Sequence, residues 1–307
     1  MPKAYGFTAH GGPEAEAFLD VPRPVPGPGQ LLVAVRAAGV NPVDWKRRAG
    51  FRAPGTPPPK LPVLFGSEVA GVVEEVGDGV VGFAVGDAVF GNPVTGGYAE
   101  YTLLPAELAA HKPAAVSFTD AATLPVAAAT AYDGINQLAL APGATLVITG
   151  VGGGVGVAAA QVAVQAGITV IGTASTGKKD FVEALGVVHV EPGPGVAGRV
   201  RLAAPGGVDA IYDLVGGDAL EQIASVLPDR SKLITAADRE TAARLGGSPV
   251  ARARNRAVLD AVAEQVAAGA LRPLVTSTYP LQRAPEALRL VEQGHARGKI
   301  VVEVAAR

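Results

Sequence analysis

The chain has 307 residues, of which 49% are hydrophobic and 18% charged, so it can bury a substantial core and is not expected to be disordered. A net charge of −2 gives no sign of a nucleic-acid-binding face. The absence of cysteine excludes disulfides, thiolate zinc sites and a cysteine nucleophile. The N-terminal residues lack the apolar stretch of a signal peptide, so we expect a cytoplasmic protein.

The first hundred or so residues read as short strands separated by turns. Three β-rich pieces, each bounded by glycine- or proline-containing turns, carry this pattern: Leu31–Arg36, Glu68–Val76 and Ala88–Phe90. Their spacing predicts a compact, mostly antiparallel, barrel-like β unit.

From Ser117 onward, helical and strand patterns alternate. The Ala-rich segment Ser117–Leu140 predicts a helix that Pro142 and Gly143 end. The predicted strands that follow are Leu146–Thr149, Thr169–Ala174, Val208–Leu214 and Lys232–Ala236, and the predicted helices are Gly156–Ala166, Lys179–Leu185 and Ala257–Ala268. This alternation predicts right-handed βαβ units in a doubly wound parallel sheet. The remaining tail reads as β-α-β, and we expect it to return to the first unit.

One uncharged segment, residues 134–177, is long enough to raise the question of a membrane span. Pro142 and a glycine cluster interrupt it, and Gln161 and Gln165 lie in its helical part. A buried strand–helix–strand unit has the same composition, because parallel strands are covered on both faces and read as apolar runs. We therefore predict no membrane association.

A glycine turn is the strongest local signal. Gly150, Gly153 and Gly156 form a GxxGxxG pattern that includes Gly154 and connects an apolar strand directly to a helix. The N-terminus of a helix offers unpaired N–H groups and a positive dipole end, and glycines let a diphosphate approach them. The pattern predicts a dinucleotide site; the alternative is a packing turn without a ligand.

The end of the next strand favours one dinucleotide. NAD-binding proteins place an acid there, about 20 residues past the glycines, for the ribose 2′-hydroxyl. This chain has Ser175 at that position, followed by Lys178 and Lys179. A hydroxyl and cations stabilise a 2′-phosphate, so we predict NADPH as the cofactor. The alternative is that the two lysines form only a solvated start of a helix.

Several motifs in chain order resemble the zinc-independent branch of the medium-chain dehydrogenases/reductases, the quinone oxidoreductase family. The resemblance covers nearly the whole chain. The motifs, besides the glycine turn, are Ala38–Asp44 (AGVNPVD), Gly66–Gly71 (GSEVAG), Val85–Gly91 (VGDAVFG), Gly96–Tyr101 (GGYAEY), Ala122–Pro125 (ATLP) and His295–Val302 (HARGKIVV).

The resemblance implies an α/β protein of two domains. A GroES-like, mostly β catalytic domain takes residues 1–116 together with 270–307, and a Rossmann NADPH-binding domain takes residues 117–269. Zinc-using relatives carry Cys and His where this chain has Asn41 and Ser67, which are poor ligands for zinc. We therefore expect no metal site.

The resemblance also implies the residues around the cofactor. The surroundings of the nicotinamide correspond to Asn41, Thr130, Val155 and Val215, and Lys299 of the C-terminal motif is assigned to the cofactor site. One departure is that the family often places a Tyr against the 2′-phosphate after the third strand, where this chain has Val190–Gly193 (VEPG). We expect that this substitution weakens the phosphate site without supplying a competing acid at the tip of the second strand.

The predicted reaction is hydride transfer from NADPH to a small-molecule electrophile, a quinone or a similar conjugated carbonyl compound. Asn41 is the candidate for orienting the substrate or the nicotinamide; the alternative is a cap for the turn before Pro42. Asp44 is expected to cap the following helix and Tyr98 to pack rather than to donate a proton.

Two other functions remain open at this point. One is an enoyl or enone reductase, which reduces a C=C bond with the same donor. The other is an NADPH-binding sensor without turnover. The resemblance further implies a homodimer formed through an edge strand, for which Ser248–Ala253 is the candidate.

Overall fold

The computed structural model describes residues 1–52 and 55–305. Its strands are β1 (Lys3–Phe7), β2 (Glu16–Asp20), β3 (Gln30–Gly39), β4 (Val63–Leu64), β5 (Val69–Val76), β6 (Ala88–Gly91), β7 (Tyr101–Pro105), β8 (Ala109–His111), β9 (Thr145–Thr149), β10 (Thr169–Thr173), β11 (Val188–Val190), β12 (Ala210–Asp213), β13 (Leu233–Thr235), β14 (Ser248–Pro249), β15 (Val275–Pro280) and β16 (Lys299–Glu303). Its α-helices are α1 (Pro42–Arg48), α2 (Phe118–Ala121), α3 (Ala129–Leu138), α4 (Gly154–Gln165), α5 (Lys179–Glu183), α6 (Val196–Ala203), α7 (Gly217–Ala224), α8 (Arg239–Arg244), α9 (Arg256–Ala267) and α10 (Ala284–Glu292).

The contacts divide the chain into two compact units. The first unit takes residues 1–126, 254–267 and 275 onward, and the second takes 127–253 and 268–274. Residues 117–126 and 254–267 therefore belong to the first unit, whereas the sequence analysis assigned them to the second. The reason is that α2 packs on β3 and β5, and α9 packs on β8. Helical periodicity does not specify which sheet a helix covers. Residues 270–274 belong to the second unit, whereas the sequence analysis assigned them to the first.

The first unit is mostly antiparallel β structure. Seven strands form one sheet in the order β15-β16-β3-β5-β6-β8, with β7 also paired to β3, and a second sheet has the order β2-β1-β4. The tail returns to this unit as predicted, because β16 pairs antiparallel with β3, Val302 lying opposite Ala38. Helix α10 buries Ala284, Ala287 and Leu288 on the same core, which is the spacing that an amphipathic helix needs.

The second unit is a doubly wound parallel sheet. Its six strands run in the order β11-β10-β9-β12-β13-β14, and every described pair in it is parallel. This order reverses direction next to β9, as in dinucleotide-binding Rossmann folds. The predicted fold class is thus confirmed.

The predicted helix Ser117–Leu140 is not continuous. It divides into α2, a π-helical turn at Leu124–Ala128 and α3. Pro125 explains the break, because its nitrogen lacks a hydrogen and its ring clashes with the preceding helical turn. Ser117 begins α2 as a helix cap, since its hydroxyl accepts the N–H of Asp120.

The candidate edge strand Ser248–Ala253 is shorter than expected. Only Ser248 and Pro249 pair with β13, at the edge of the six-stranded sheet. Beyond them, the N–H of Ala251 donates to the side chain of Gln137 at 2.8 Å, and that of Ala253 donates to Asp133 at 3.0 Å. Side chains of α3 thus bind the backbone N–H groups that a longer strand would have used for pairing. The homodimer stays a prediction.

None of the helices in the described part of the chain combines the length and the apolar character that crossing a membrane requires.

Candidate active site

The glycine turn has the geometry of a phosphate-binding loop. It connects β9 to α4, and Gly150 within it has φ = 64°, which favours glycine. A Cβ on Gly156 would lie 2.6 Å from Cα of Val151, so only glycine allows the helix to approach the backbone of the turn this closely. Helix α4 begins at Gly154, and the N–H groups of its first turn, including that of Val155, have no acceptor within the helix. The turn fits a diphosphate group.

The structure brings Lys178 to this turn and pairs Lys179 elsewhere. A Cβ on Gly152 would lie 2.8 Å from Cδ of Lys178, so the aliphatic part of Lys178 packs on the glycine turn. Lys179 instead lies 4.0 Å from the carboxylate of Glu183 in an exposed i,i+4 pair. Ser175 lies two residues past the end of β10 and is the N-cap of the 3-10 turn that contains Lys178. Lys178 and Ser175 are therefore the better placed of the predicted phosphate ligands.

An acid also lies at this edge, contrary to the expectation from the sequence. The hydroxyl of Thr176 donates to Oε1 of Glu191 at 2.6 Å. Glu191 follows β11, which runs parallel to β10 with Val190 opposite Thr173. The carboxyl ends of neighbouring parallel strands lie side by side, which explains why a residue 15 positions later in the chain reaches this loop. Strand β11 is not among the strands predicted from the sequence; the only signal was that Glu191 lies in the stretch Val190–Gly193, where the family places a Tyr against the 2′-phosphate.

Asp213 organises the ends of three strands, and sequence reasoning missed it. Its carboxylate is fully buried and accepts the hydroxyls of Thr149 at 2.7 Å and Thr235 at 2.6 Å. It also accepts the backbone N–H groups of Val215 and Gly216. Asp213 thereby ties the start of the glycine turn to the loop after β12. The only available signal was an acid at the end of an apolar strand.

Val215 and Thr130 are the other predicted site residues of the second unit. Val215 is 53% exposed, and a Cβ on Gly150 would lie 2.9 Å from its Cγ2, so Val215 contacts the glycine turn. Thr130 is buried on α3, and its carbonyl accepts the hydroxyl of Tyr212 at 2.8 Å. Burial raises the pKa of Tyr212, which keeps this hydroxyl a donor.

In the first unit, Asn41 and Lys299 belong to one buried polar cluster. The ammonium of Lys299 donates to the carbonyl of Val40 at 3.1 Å, to Oδ1 of Asn41 at 2.8 Å and to Oε1 of Glu68 at 2.8 Å. These bonds use the three donors of the ammonium. The amide nitrogen of Asn41 donates to the same Glu68 oxygen at 2.8 Å, so its amide is oriented by an anion on one side and a cation on the other. The other Glu68 oxygen accepts the N–H of Val126.

A second buried pair lies beside this cluster. Asp44 accepts the N–H of Asn41 at 2.9 Å and the hydroxyl of Tyr98 at 3.1 Å. Asn41 is the N-cap residue of α1, and Asp44 lies at its third position and binds back to that cap, which refines the capping role expected for Asp44. Burial raises the pKa of Asp44 to about 6, with Glu68 adding to the shift. The pKa of Tyr98 is raised well above its usual value, chiefly by burial.

Metal ligation has no support in the described ranges, 1–52 and 55–305, which contain no group of three or more His, Cys, Asp or Glu side chains suited to hold an ion. Ser67 instead contacts the Asn41 amide at 3.4 Å.

Comparison with known proteins defines the class of this chain. The family model of the alcohol dehydrogenase GroES-like domain matches residues 27–114, and that of a zinc-binding dehydrogenase matches residues 185–302. A GroES-like unit combined with a Rossmann unit defines a medium-chain dehydrogenase/reductase.

Relatives that match most of the chain indicate the branch of this family to which it belongs. The chain is 30% identical to human quinone oxidoreductase, over 95% of this chain and 94% of that protein. It is 30% identical to 2-methylene-furan-3-one reductase of Solanum lycopersicum, over 98% of this chain and 78% of that protein. It is 36% identical to the spectinabilin polyketide synthase system protein NorB of Streptomyces orinoci, over 94% of this chain. The chain spans only 13% of the length of that synthase protein.

Solved structures agree with these relatives. The quinone oxidoreductase from Coxiella burnetii has a TM-score of 0.88 and 31% identity, with 99% of each chain covered. A mycobacterial protein solved in complex with NADPH has a TM-score of 0.86 and 28% identity, covering 98% of this chain and 99% of that one. The chain belongs to the quinone oxidoreductase branch of the medium-chain dehydrogenase/reductase family. The mycobacterial relative was solved with NADPH, which is the cofactor that the sequence predicts for this chain.

Proposed function

We propose that this chain is a zinc-independent, NADPH-dependent reductase of a quinone or a similar conjugated carbonyl compound. The observation that carries the proposal is the contact between Lys178 and the glycine turn, because it combines a diphosphate cradle with a cation suited to a 2′-phosphate. Ser175, two residues past the end of β10, adds a hydroxyl to the same edge.

The residues of the second unit hold and orient the cofactor. NADPH, when bound, supplies the hydride. The N–H groups at the start of α4 hold the diphosphate, and Lys178 with Ser175 meets the 2′-phosphate. Asp213 holds the loop that carries Val215, whose exposed side chain offers an apolar surface against the glycine turn. Such preorganisation is the protein's main contribution to a hydride transfer.

In this proposal the polar residues of the first unit orient the substrate or the nicotinamide and do not supply a proton. The ion pair of Lys299 and Glu68 fixes which end of the Asn41 amide carries the oxygen, so the amide is already oriented for a substrate or nicotinamide amide. In this proposal Lys299 positions Asn41 instead of touching the cofactor. Tyr98 is fully buried and already donates to Asp44, so the proton for the substrate oxygen comes from water.

A second candidate is reduction of the C=C bond of an enone or enoyl compound. The likeness to the tomato furanone reductase and to a polyketide synthase protein favours it. Both reactions need the same donor and the same cofactor site. They differ in the product, which is a hydroquinone in one case and a saturated carbonyl compound in the other.

The test is turnover of NADPH with quinones and enones, with the products identified by mass spectrometry. We expect oxidation of NADPH by one of these acceptor classes. We expect Lys178→Met to raise KM for NADPH about tenfold while leaving KM for NADH within about twofold. Lys179→Met is the matched control and should change neither value by more than about twofold.

Three results would contradict the proposal. NADPH that binds without oxidation by any acceptor would identify a cofactor-binding sensor. Equal effects of the two lysine substitutions would remove Lys178 from the phosphate site. An equal loss with NADPH and NADH would mean that Lys178 acts on the shared diphosphate.

A further inference from the structure

The carboxyl ends of β10 and β11 form one composite edge. The two strands are parallel, with Thr173 opposite Val190, and the N–H of Ala174 still donates to the carbonyl of Val190 at 3.3 Å. The segments that follow them therefore start side by side. One of these segments carries Ser175 and Lys178, and the other begins with Glu191.

Glu191 is held in place at this edge. Its Oε1 accepts the hydroxyl of Thr176 at 2.6 Å, and Thr176 is the residue after Ser175. Its backbone is fixed as well, because the guanidinium of Arg199 donates to the Glu191 carbonyl at 2.7 and 3.0 Å. The same guanidinium donates to the carbonyls of the next residues, 192–194, which fixes the whole turn.

We propose that Glu191 is a specificity-determining residue that weakens the binding of NADPH relative to NADH. The inference rests on the proposed function, since it assumes that the 2′-phosphate lies at the edge with Ser175 and Lys178. A 2′-phosphate and a carboxylate both carry negative charge, and like charges in one site repel. NADH lacks this phosphate, and its ribose hydroxyl can donate to a carboxylate.

The edge thus presents a cation, Lys178, and an anion, Glu191, which have opposite effects on the binding of a 2′-phosphate. Lys178 favours the phosphorylated cofactor and Glu191 disfavours it, so the preference for NADPH is smaller than Lys178 alone would give. The wild-type chain keeps NADH as a usable second cofactor. Glu191 is an exposed loop residue whose replacement removes no buried contact, so its variants should fold.

The experiment measures the dissociation constants of NADPH and NADH for the wild-type chain and Glu191→Gln. The amide keeps an oxygen for Thr176 and loses the charge. We expect NADPH to bind about five- to tenfold more tightly to the variant, and NADH to change by less than about twofold or to bind more weakly. Glu221→Gln, a charge-matched change on α7 beyond β12, should alter neither constant by more than about twofold.

Salt separates a charge effect from a change of loop shape. Raising the ionic strength from about 0.02 M to about 0.5 M should shrink the gain of Glu191→Gln, because repulsion between exposed charges is screened. An unchanged NADPH-to-NADH ratio in Glu191→Gln, or a gain that does not respond to salt, would overturn the inference while NADPH binding by the wild-type chain stands. A wild-type chain that binds neither cofactor would overturn the proposed function together with it.

Discussion

The ammonium of Lys299 lies 2.8 Å from Oε1 of Glu68, and the two side chains are 4% and 0% exposed. A buried ion pair contributes little compared with apolar packing, but removal of one partner leaves a buried charge without compensation. We expect Lys299→Met to lower the free energy of unfolding by about 3–5 kcal/mol, measured by urea denaturation.

A double variant tests whether this loss of stability comes from the buried charge of Glu68, which Lys299→Met leaves without its partner. Lys299→Met combined with Glu68→Gln should recover at least about half of the loss, because neither position then carries a charge without its partner. Lys179→Met, at an exposed pair, is the control and should change the free energy by less than about 0.5 kcal/mol. A double variant no more stable than Lys299→Met would show that packing, not charge, sets the loss.

Asp213 should matter for both stability and cofactor binding. If the oxygen of asparagine replaces Oδ1, which accepts the hydroxyl of Thr149 and two backbone N–H groups, its NH2 group replaces Oδ2, which accepts the hydroxyl of Thr235. Thr235 cannot readily turn to accept it, since its oxygen already accepts the N–H groups of Ala237 and Asp238. We expect Asp213→Asn to lower the free energy of unfolding by about 2–4 kcal/mol and to weaken NADPH binding at least about tenfold. Wild-type affinity in a folded variant would contradict the positioning role.

Two glycine-to-alanine substitutions should have opposite effects on the free energy of unfolding. At Gly156 the added Cβ meets Cα of Val151 at 2.6 Å, so Gly156→Ala should destabilise the chain by about 1–3 kcal/mol and impair dinucleotide binding. At Gly198, inside α6, the Cβ meets nothing within 4 Å, so Gly198→Ala should stabilise it by about 0.5–1 kcal/mol. Equal effects of the two changes on thermal unfolding would contradict the close approach of α4 to the backbone of Val151.

The raised pKa of Asp44 makes the free energy of unfolding depend on pH in a defined direction. Its pKa is about 6 in the folded chain against an ordinary value of 3.8, so folding takes up a proton between these two values. The free energy of unfolding therefore falls as the pH rises through this window, by about 3 kcal/mol from this group. Asp44→Asn cannot ionise, so its stability relative to wild type should increase by that amount between about pH 3 and about pH 7. A difference that stays constant across this range would contradict the raised pKa.

Local patterns predicted the fold because each element follows from short-range rules. The strand around Val147, the helix after Gly153 and the turn at Gly150 need only periodicity, burial and the conformational freedom of glycine. The return of β16 to the first unit came from the family resemblance, since pairing between distant segments leaves no local trace.

The site was predicted only in part, for the same reason. Lys178 and Ser175 stand next to a recognisable strand end, whereas Glu191 reaches that edge through the pairing of β10 with β11. Asp213 and Glu68 acquire their roles from partners far along the chain. Their burial and their hydrogen bonds depend on tertiary structure, which residue types and spacing do not encode.

The most direct test of the account is oxidation of NADPH, followed by absorbance, by the full chain after removal of metals with a chelator. Quinones and enones serve as acceptors, and NADH is the comparison cofactor. We expect NADPH to be oxidised by one acceptor class without added zinc, with kcat/KM above that for NADH. Activity that appears only when zinc is restored, or a kcat/KM higher with NADH than with NADPH, would contradict it.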